Sequence, residues 1–174
     1  NNREAATLAT HHLIDQGFEA ILFLSEPVGT VNTRLERLDA YRATMQAYPD
    51  LQARSAEVLL TDSAQLDAVL SDFSRSNRGR RKAVLSANGA LTLHIARAMR
   101  RLGIRWGSDI GLLGFDELEW AELAGVGITT FKQPTYEMGY AALEQVVKRI
   151  QGCQDDPCEQ AFSGELIVRG STSL

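Results

Sequence analysis

Arg37, Asn88 and Asp116 carry the side-chain chemistry of a site that reads hydroxyl groups. A guanidinium presents five N–H donors in a rigid fork, a carboxylate accepts two hydroxyl bonds, and a primary amide both donates and accepts. Converging on a dry cleft, that set reads the hydroxyl pattern of a sugar, and an aromatic such as Trp120 adds a face for a pyranose ring. Each residue also has a structural use. Arg37 lies in a charge-rich helical stretch and would serve there as a solvated residue. Asn88 and Asp116 each precede a helix and would cap it. Trp120 would fill a core or an interface. Position favours the binding reading: three such residues stand together at strand–helix junctions.

Other chemistries find less support. Neither G-x-G-x-x-G nor G-x-x-x-x-G-K-[ST] occurs, so no dinucleotide or phosphate-loop cofactor is expected. A phosphoryl-accepting receiver needs an acidic cluster after its first strand and an Asp ending its third. Here those places hold only Glu26 and the amide of Asn88. There is no G-x-S-x-G elbow, and Asp116 with Glu117 has no partner base. His11, His12 and His94 show no metal-ligand spacing. The expectation is a protein without catalytic residues, metal or cofactor.

Charge narrows the partners. The net charge is −4 and the pI about 5.4, without the basic footprint that phosphate backbones require, so these residues alone should not hold DNA. The loop SRSNRGRRK (74–82) gathers Arg78, Arg80, Arg81 and Lys82 but no interleaved aromatics, and reads as solvated. Cys153 and Cys158 flank QDDP in a surface loop and read as reduced thiols of a cytoplasmic protein. No apolar run approaches the ~20 residues of a membrane span, and the opening NNREAATLATHHL is not a signal peptide.

The elements that must position these residues alternate along the chain. Helical patterns are predicted over 3–16, 31–48, 63–73, 90–102, 117–124 and 136–150. Apolar runs between them predict strands at AILFLSE (20–26), AEVLL (56–60), KAVLSAN (82–88), DIGLLGF (109–115) and ITTF (128–131), with a last strand near GELIVR (164–169). Such alternation argues for an α/β, Rossmann-like or flavodoxin-like parallel sheet covered on both faces, of order 2-1-3-4-5. Ligands bind such sheets beyond the carboxyl ends of the strands. There the sequence places Ser25, Glu26, Thr61, Asp62, Asn88 and Asp116.

The order of motifs resembles the LacI/GalR family of transcriptional repressors. NNREAATLATHHLIDQGFEAILFL is similar to that family's Asn–helix–Gly–strand segment, RLDAY (37–41) to its R-x-x-G-[FY] motif, AVLSAN to its strand ending in Asn-Asp, and DIGLLGFDE to its strand ending in G-[FY]-D. ITTFKQP and LIVRGSTSL complete the set, so the resemblance spans essentially the whole chain. It implies the C-terminal lobe of a type I periplasmic-binding-protein-like fold over 1–132, a segment crossing back to an N-terminal lobe over 133–155, and a final strand and tail over 156–174. The helix-turn-helix headpiece would lie outside the 174 residues, and operator DNA would be bound only through it. The resemblance also implies a homodimer and a small-molecule sugar effector held by Arg37, Asn88 and Asp116, with Thr33 or Asn32 beside the Arg motif. Two positions depart from the family pattern. Gly89 stands where an Asp is usual, and Ala40 replaces the motif's Gly. Losing a carboxylate beside Arg34 and Arg37 suits an anionic ligand, a sugar acid. LFLSEPVGTVNTRLERLDAY and GFDELEWAEL further resemble the 2-ketogluconate utilisation repressors. A periplasmic sugar-binding protein of a transport system shares the lobes and the chemistry, and is the alternative.

Overall fold

The computed structural model describes residues 1–76, 79–154, 156 and 159–173. Helix α1 (Asn2–Asp15) leads into strand β1 (Ala20–Ser25), then α2 (Asn32–Gln46), β2 (Gln52–Glu57), α3 (Ser63–Arg75) and β3 (Lys82–Ser86). There follow α4 (Gly89–Arg101), β4 (Gly111–Phe115), α5 (Glu119–Leu123), β5 (Thr129–Lys132), α6 (Thr135–Ile150) and β6 (Glu165–Ile167). Local chemistry sets the boundaries. Gly17 turns the chain out of α1 with a φ of 75°, a conformation that costs glycine little. Asp62 caps α3 by accepting from the Gln65 amide at 2.9 Å.

The strands form one sheet of order β2-β1-β3-β4-β5-β6. The first five are parallel, in the expected 2-1-3-4-5 order, and β6 joins β5 antiparallel, pairing Phe131 with Leu166. Every residue of β1 and β4 is buried, because both lie inside the sheet with helices on either face. On one face Ala6, Ala9 and Leu13 of α1 join Leu38 and Tyr41 of α2 over Phe23, Leu85 and Phe115. On the other, Leu70 and Phe73 of α3 and Leu91, Ile95 and Met99 of α4 cover Leu22, Val84 and Leu112. Gly114 of β4 lets α4 approach: a Cβ there would meet the Thr92 Oγ1 at 2.4 Å.

One expected strand is displaced. The apolar run 56–60 pointed to β2, yet the pairing runs over Gln52–Glu57 and aligns Ala20 with Gln52. β2 is the edge of the sheet, with no residue fully buried, so backbone pairing with β1 defines it while apolar Val58 is buried just beyond its end. Among the described residues of the basic loop, three cations are tied to their own chain: Arg80 donates to the Asp50 carbonyl, Arg81 to Gln16 and Lys82 to Ser74. Arg78 and Cys158 lie outside the described residues, and with Cys158 the expected pair of thiols.

α6 differs from the other long helices. None of its residues is buried, and Tyr136, Tyr140, Leu143 and Ile150 are each more than 60% exposed. Among the described residues, no helix is long and apolar enough to cross a membrane.

Candidate functional site

The carboxyl ends of β1, β3 and β4 sit side by side in the sheet, and that adjacency gathers the predicted residues. Arg37 reaches them from α2. It is 6% exposed; its Nη1 donates to the Ala87 carbonyl at 2.6 Å and its Nε to the Asn2 Oδ1 at 3.0 Å. Its guanidinium lies 4.0 Å above the centre of the Phe115 ring, a favourable stacking for a weakly hydrated cation. Burial pushes its pKa below the usual arginine value, with Asp116 and Glu36 acting in the opposite direction. Its Nη2 makes no hydrogen bond among the described residues.

Asn88 and Asp116 meet at the first turn of α4. The Asn88 Oδ1 caps the helix by accepting from the Leu91 amide at 2.9 Å, while its Nδ2 donates to the Glu26 Oε2 at 2.8 Å. Asp116 follows β4 in a left-handed conformation, φ 70°, which for a non-glycine residue persists only where its surroundings hold it. Its amide donates to the Phe131 carbonyl at 3.0 Å, and its carboxylate accepts from the Gly89 amide at 3.0 Å and from the Gln133 side chain. The capping reading of Asn88 is therefore correct, whereas Asp116 does not cap the helix it precedes: the N-cap of α5 is Leu118, without a side-chain bond, and Asp116 serves the first amide of α4 instead.

Gly89 stands between them. A Cβ at this position would lie 2.9 Å from the Leu118 Cδ1 and 3.2 Å from the Asp116 Cβ, so no larger side chain fits without a shift. A cavity of about 350 Å³, within the range of small-molecule sites, is lined by Gly89, Asp116, Leu118, Lys132 and Gln133; of the predicted trio only Asp116 lines it, Arg37 and Asn88 lying outside its lining. A smaller one of about 130 Å³ adjoins it through Gln133 and is lined by Asn2, Thr33 and Phe131. A larger cavity, about 550 Å³ beside Ile104, Trp106 and Val126, opens at the other end of the sheet, before β4 and β5, away from these polar groups.

Thr33 thus lines the smaller cavity, and Asn32 is exposed on the first turn of α2. Trp120 goes elsewhere. It is half-buried against the cluster formed by α3 and α4, and lines neither cavity, so the core reading of this tryptophan is the one the structure supports. Sequence reasoning missed Asn2, Phe115, Lys132 and Gln133 as parts of the site. It also missed the fork in which Arg169 Nη2 and Nη1 hold the Glu117 Oε1 and Oε2 at 2.5 and 3.1 Å. Thr130 donates to the same carboxylate, and these bonds, led by Arg169, hold the Glu117 carboxyl below its usual pKa. The only signal for that fork was an unclaimed Glu beside Asp116 and an unclaimed Arg in the last strand. Among the described residues, no cluster of His, Cys, Asp and Glu is arranged to hold a metal.

Residues 10–172 match the family model of the periplasmic binding protein-like domain. The HTH-type transcriptional regulator PtxS of Pseudomonas aeruginosa is 38% identical over 172 residues, which is 99% of this chain and 49% of that protein. The HTH-type transcriptional regulator KdgR of Bacillus subtilis is 35% identical, over 98% of this chain and 51% of that protein. The chain spans about half the length of these relatives. Among solved structures, a probable maltose operon transcriptional repressor from Staphylococcus aureus superposes with a TM-score of 0.89 at 19% identity, covering 99% of this chain and 60% of that one. A LacI family transcriptional regulator from Enterococcus faecium with bound ribose gives 0.83 at 20%, covering 99% and 63%. At such identities the superpositions speak for the fold.

Proposed function

The chain belongs to the periplasmic binding protein-like domain family, in the form found in LacI-type transcriptional regulators, and from this we propose that it is the effector-sensing part of such a regulator. Residues 1–132 are its C-terminal lobe, 133–155 cross to an N-terminal lobe, and 156–174 return as the final strand and tail. Operator DNA is held by a headpiece outside these residues, and the regulator works as a cytoplasmic homodimer rather than as an enzyme. The effector is a sugar or sugar acid, 2-ketogluconate being the candidate.

One observation carries the reading. The buried guanidinium of Arg37, the amide of Asn88 and the carboxylate of Asp116 stand near the carboxyl ends of adjacent strands, and Asp116 lines a cavity there together with Gly89. Arg37 supplies Nη2, Asn88 its amide, and Asp116 the lone pairs left over from its two bonds. Thr33 and Asn32 stand at the rim. A ligand spanning these groups and a facing lobe would favour the closed arrangement, and closure would shift the headpieces' spacing. The similarity to named transcriptional regulators supports this over a transport binding protein.

Calorimetric titration of the full-length protein with 2-ketogluconate, gluconate, ribose and galactose tests it. Binding of 2-ketogluconate in preference to the other three is expected. Absence of heat with every ligand would remove the effector-site reading, and equal heats for the two acids would remove the assignment of 2-ketogluconate.

A further inference from the structure

We propose that Arg34 is the seat of the ligand's carboxylate and that Glu26 occupies that seat until the ligand arrives. The inference rests on the effector-site reading above and names a specificity-determining pair within it.

A single oxygen carries the argument. Glu26 Oε2 accepts from the Asn88 Nδ2 at 2.8 Å and from the Arg34 Nη2 at 2.9 Å. One carboxylate thus bridges the hydroxyl-reading amide and a guanidinium whose only other bond among the described residues is to the Pro27 carbonyl, at 2.9 Å. A sugar acid offers the same groups: a carboxylate for the arginine and an adjacent oxygen for the amide. The two charged side chains are 26% and 21% exposed, so water and small solutes reach the pair. An ion pair in that setting is weak enough to be exchanged.

Two further features favour an anion there. Arg34 lies in the first turn of α2, whose N-cap, Val31, gives the helix no side-chain acceptor. The Arg34 amide is taken up by the Val31 carbonyl at 3.1 Å, and the positive end of the helix dipole adds to the arginine's charge. Gly89, next to Asn88, carries no carboxylate that would repel a second one. In the exchange no covalent bond changes. The ligand's carboxylate takes the Arg34 donor and its adjacent oxygen the Asn88 donor, and Glu26 turns to solvent.

The test pairs 2-ketogluconate with D-fructose, which carries a hydroxymethyl group in place of the carboxylate and keeps the hydroxyls at C3 to C6. Affinities are measured by calorimetry on the full-length protein, with a thermal melt of each variant. The wild type is expected to prefer the acid by about tenfold or more, the scale of one charge-assisted contact. Arg34→Gln is expected to weaken acid binding by about tenfold and to leave fructose within about threefold, with Arg34→Lys recovering part of the loss. Glu26→Gln keeps an acceptor for both donors, so it folds, and is expected to tighten acid binding about threefold by removing the competitor. The proposal is overturned if Arg34→Gln spares the acid or weakens both ligands alike, or if Glu26→Gln weakens the acid. A wild type that binds neither ligand would instead overturn the effector-site reading itself.

Discussion

At the scale of single residues, the site is held by side chains that serve helix ends and ligand at once. Asn88 and Asp116 each use one face to satisfy the first amides of α4 and keep another for the strand ends. Asp116→Asn keeps an acceptor for the Gly89 amide but cannot take donors on both of its side-chain atoms, because one becomes an NH2 group. Effector affinity is therefore expected to fall by about tenfold while the melting temperature changes little, measured by calorimetry and a thermal melt. Arg37 is different, because its guanidinium is buried between the Ala87 carbonyl and the Phe115 ring. Arg37→Lys retains charge but loses the planar fork, and is expected to cost about 1–3 kcal/mol of stability as well as binding, read from urea denaturation. The Glu117–Arg169 fork makes a prediction in pH. Folding holds the Glu117 carboxyl below its usual value, chiefly through Arg169, so the stability it adds is full above the unfolded pKa of about 4.3 and lost as pH falls below it. Melting temperature should therefore fall less between pH 6 and pH 3 in Glu117→Gln than in the wild type.

At the scale of elements, what matters is how closely α4 can lie on β4, since that contact aims the Asn88 junction. Gly114 is the point of nearest approach, against the Thr92 side chain. Gly114→Ala is expected to destabilise the fold by about 1–3 kcal/mol through overpacking, and Thr92→Ala in the same chain should return part of the loss. Denaturant midpoints of the two single variants and the double variant measure this. A double variant no more stable than Gly114→Ala alone would mean that strain spreads beyond this contact. The left-handed Asp116 belongs to the same account, because α4's amides, Gln133 and the β5 backbone fix it from three sides.

At the scale of the whole molecule, α6 stands apart. Its tyrosines, Leu143 and Ile150 are exposed at three-, four- and seven-residue spacing along one helix, an apolar face of the kind that marks an interaction surface. The 174-residue chain by itself is therefore expected to self-associate at micromolar concentration, and Tyr140→Glu with Leu143→Glu to return it toward monomer. Sedimentation velocity distinguishes the outcomes, and the melting temperature should hardly change because none of the helix's side chains is buried.

The alternation of apolar runs with helical periodicity pointed to the parallel sheet, since fully buried strands such as β1 and β4 announce themselves by composition, and right-handed crossovers left 2-1-3-4-5 as the favoured order; the antiparallel pairing of β6 was not legible. The same pattern located Asn88 and Asp116 at strand ends, because a polar residue after an apolar strand and before a helix has few other places to be. Tertiary structure decided the rest. β2 fell at Gln52–Glu57 because an edge strand is defined by its backbone partner and not by its side chains. Trp120 packed half-buried against the core, and Arg37 found Asn2 and Ala87 at distances of 35 and 50 residues along the chain. Glu26 met Asn88 across 62 residues. Periodicity records which way a side chain faces; which remote group it meets depends on the register of strands and the seating of helices, and only the folded chain sets those.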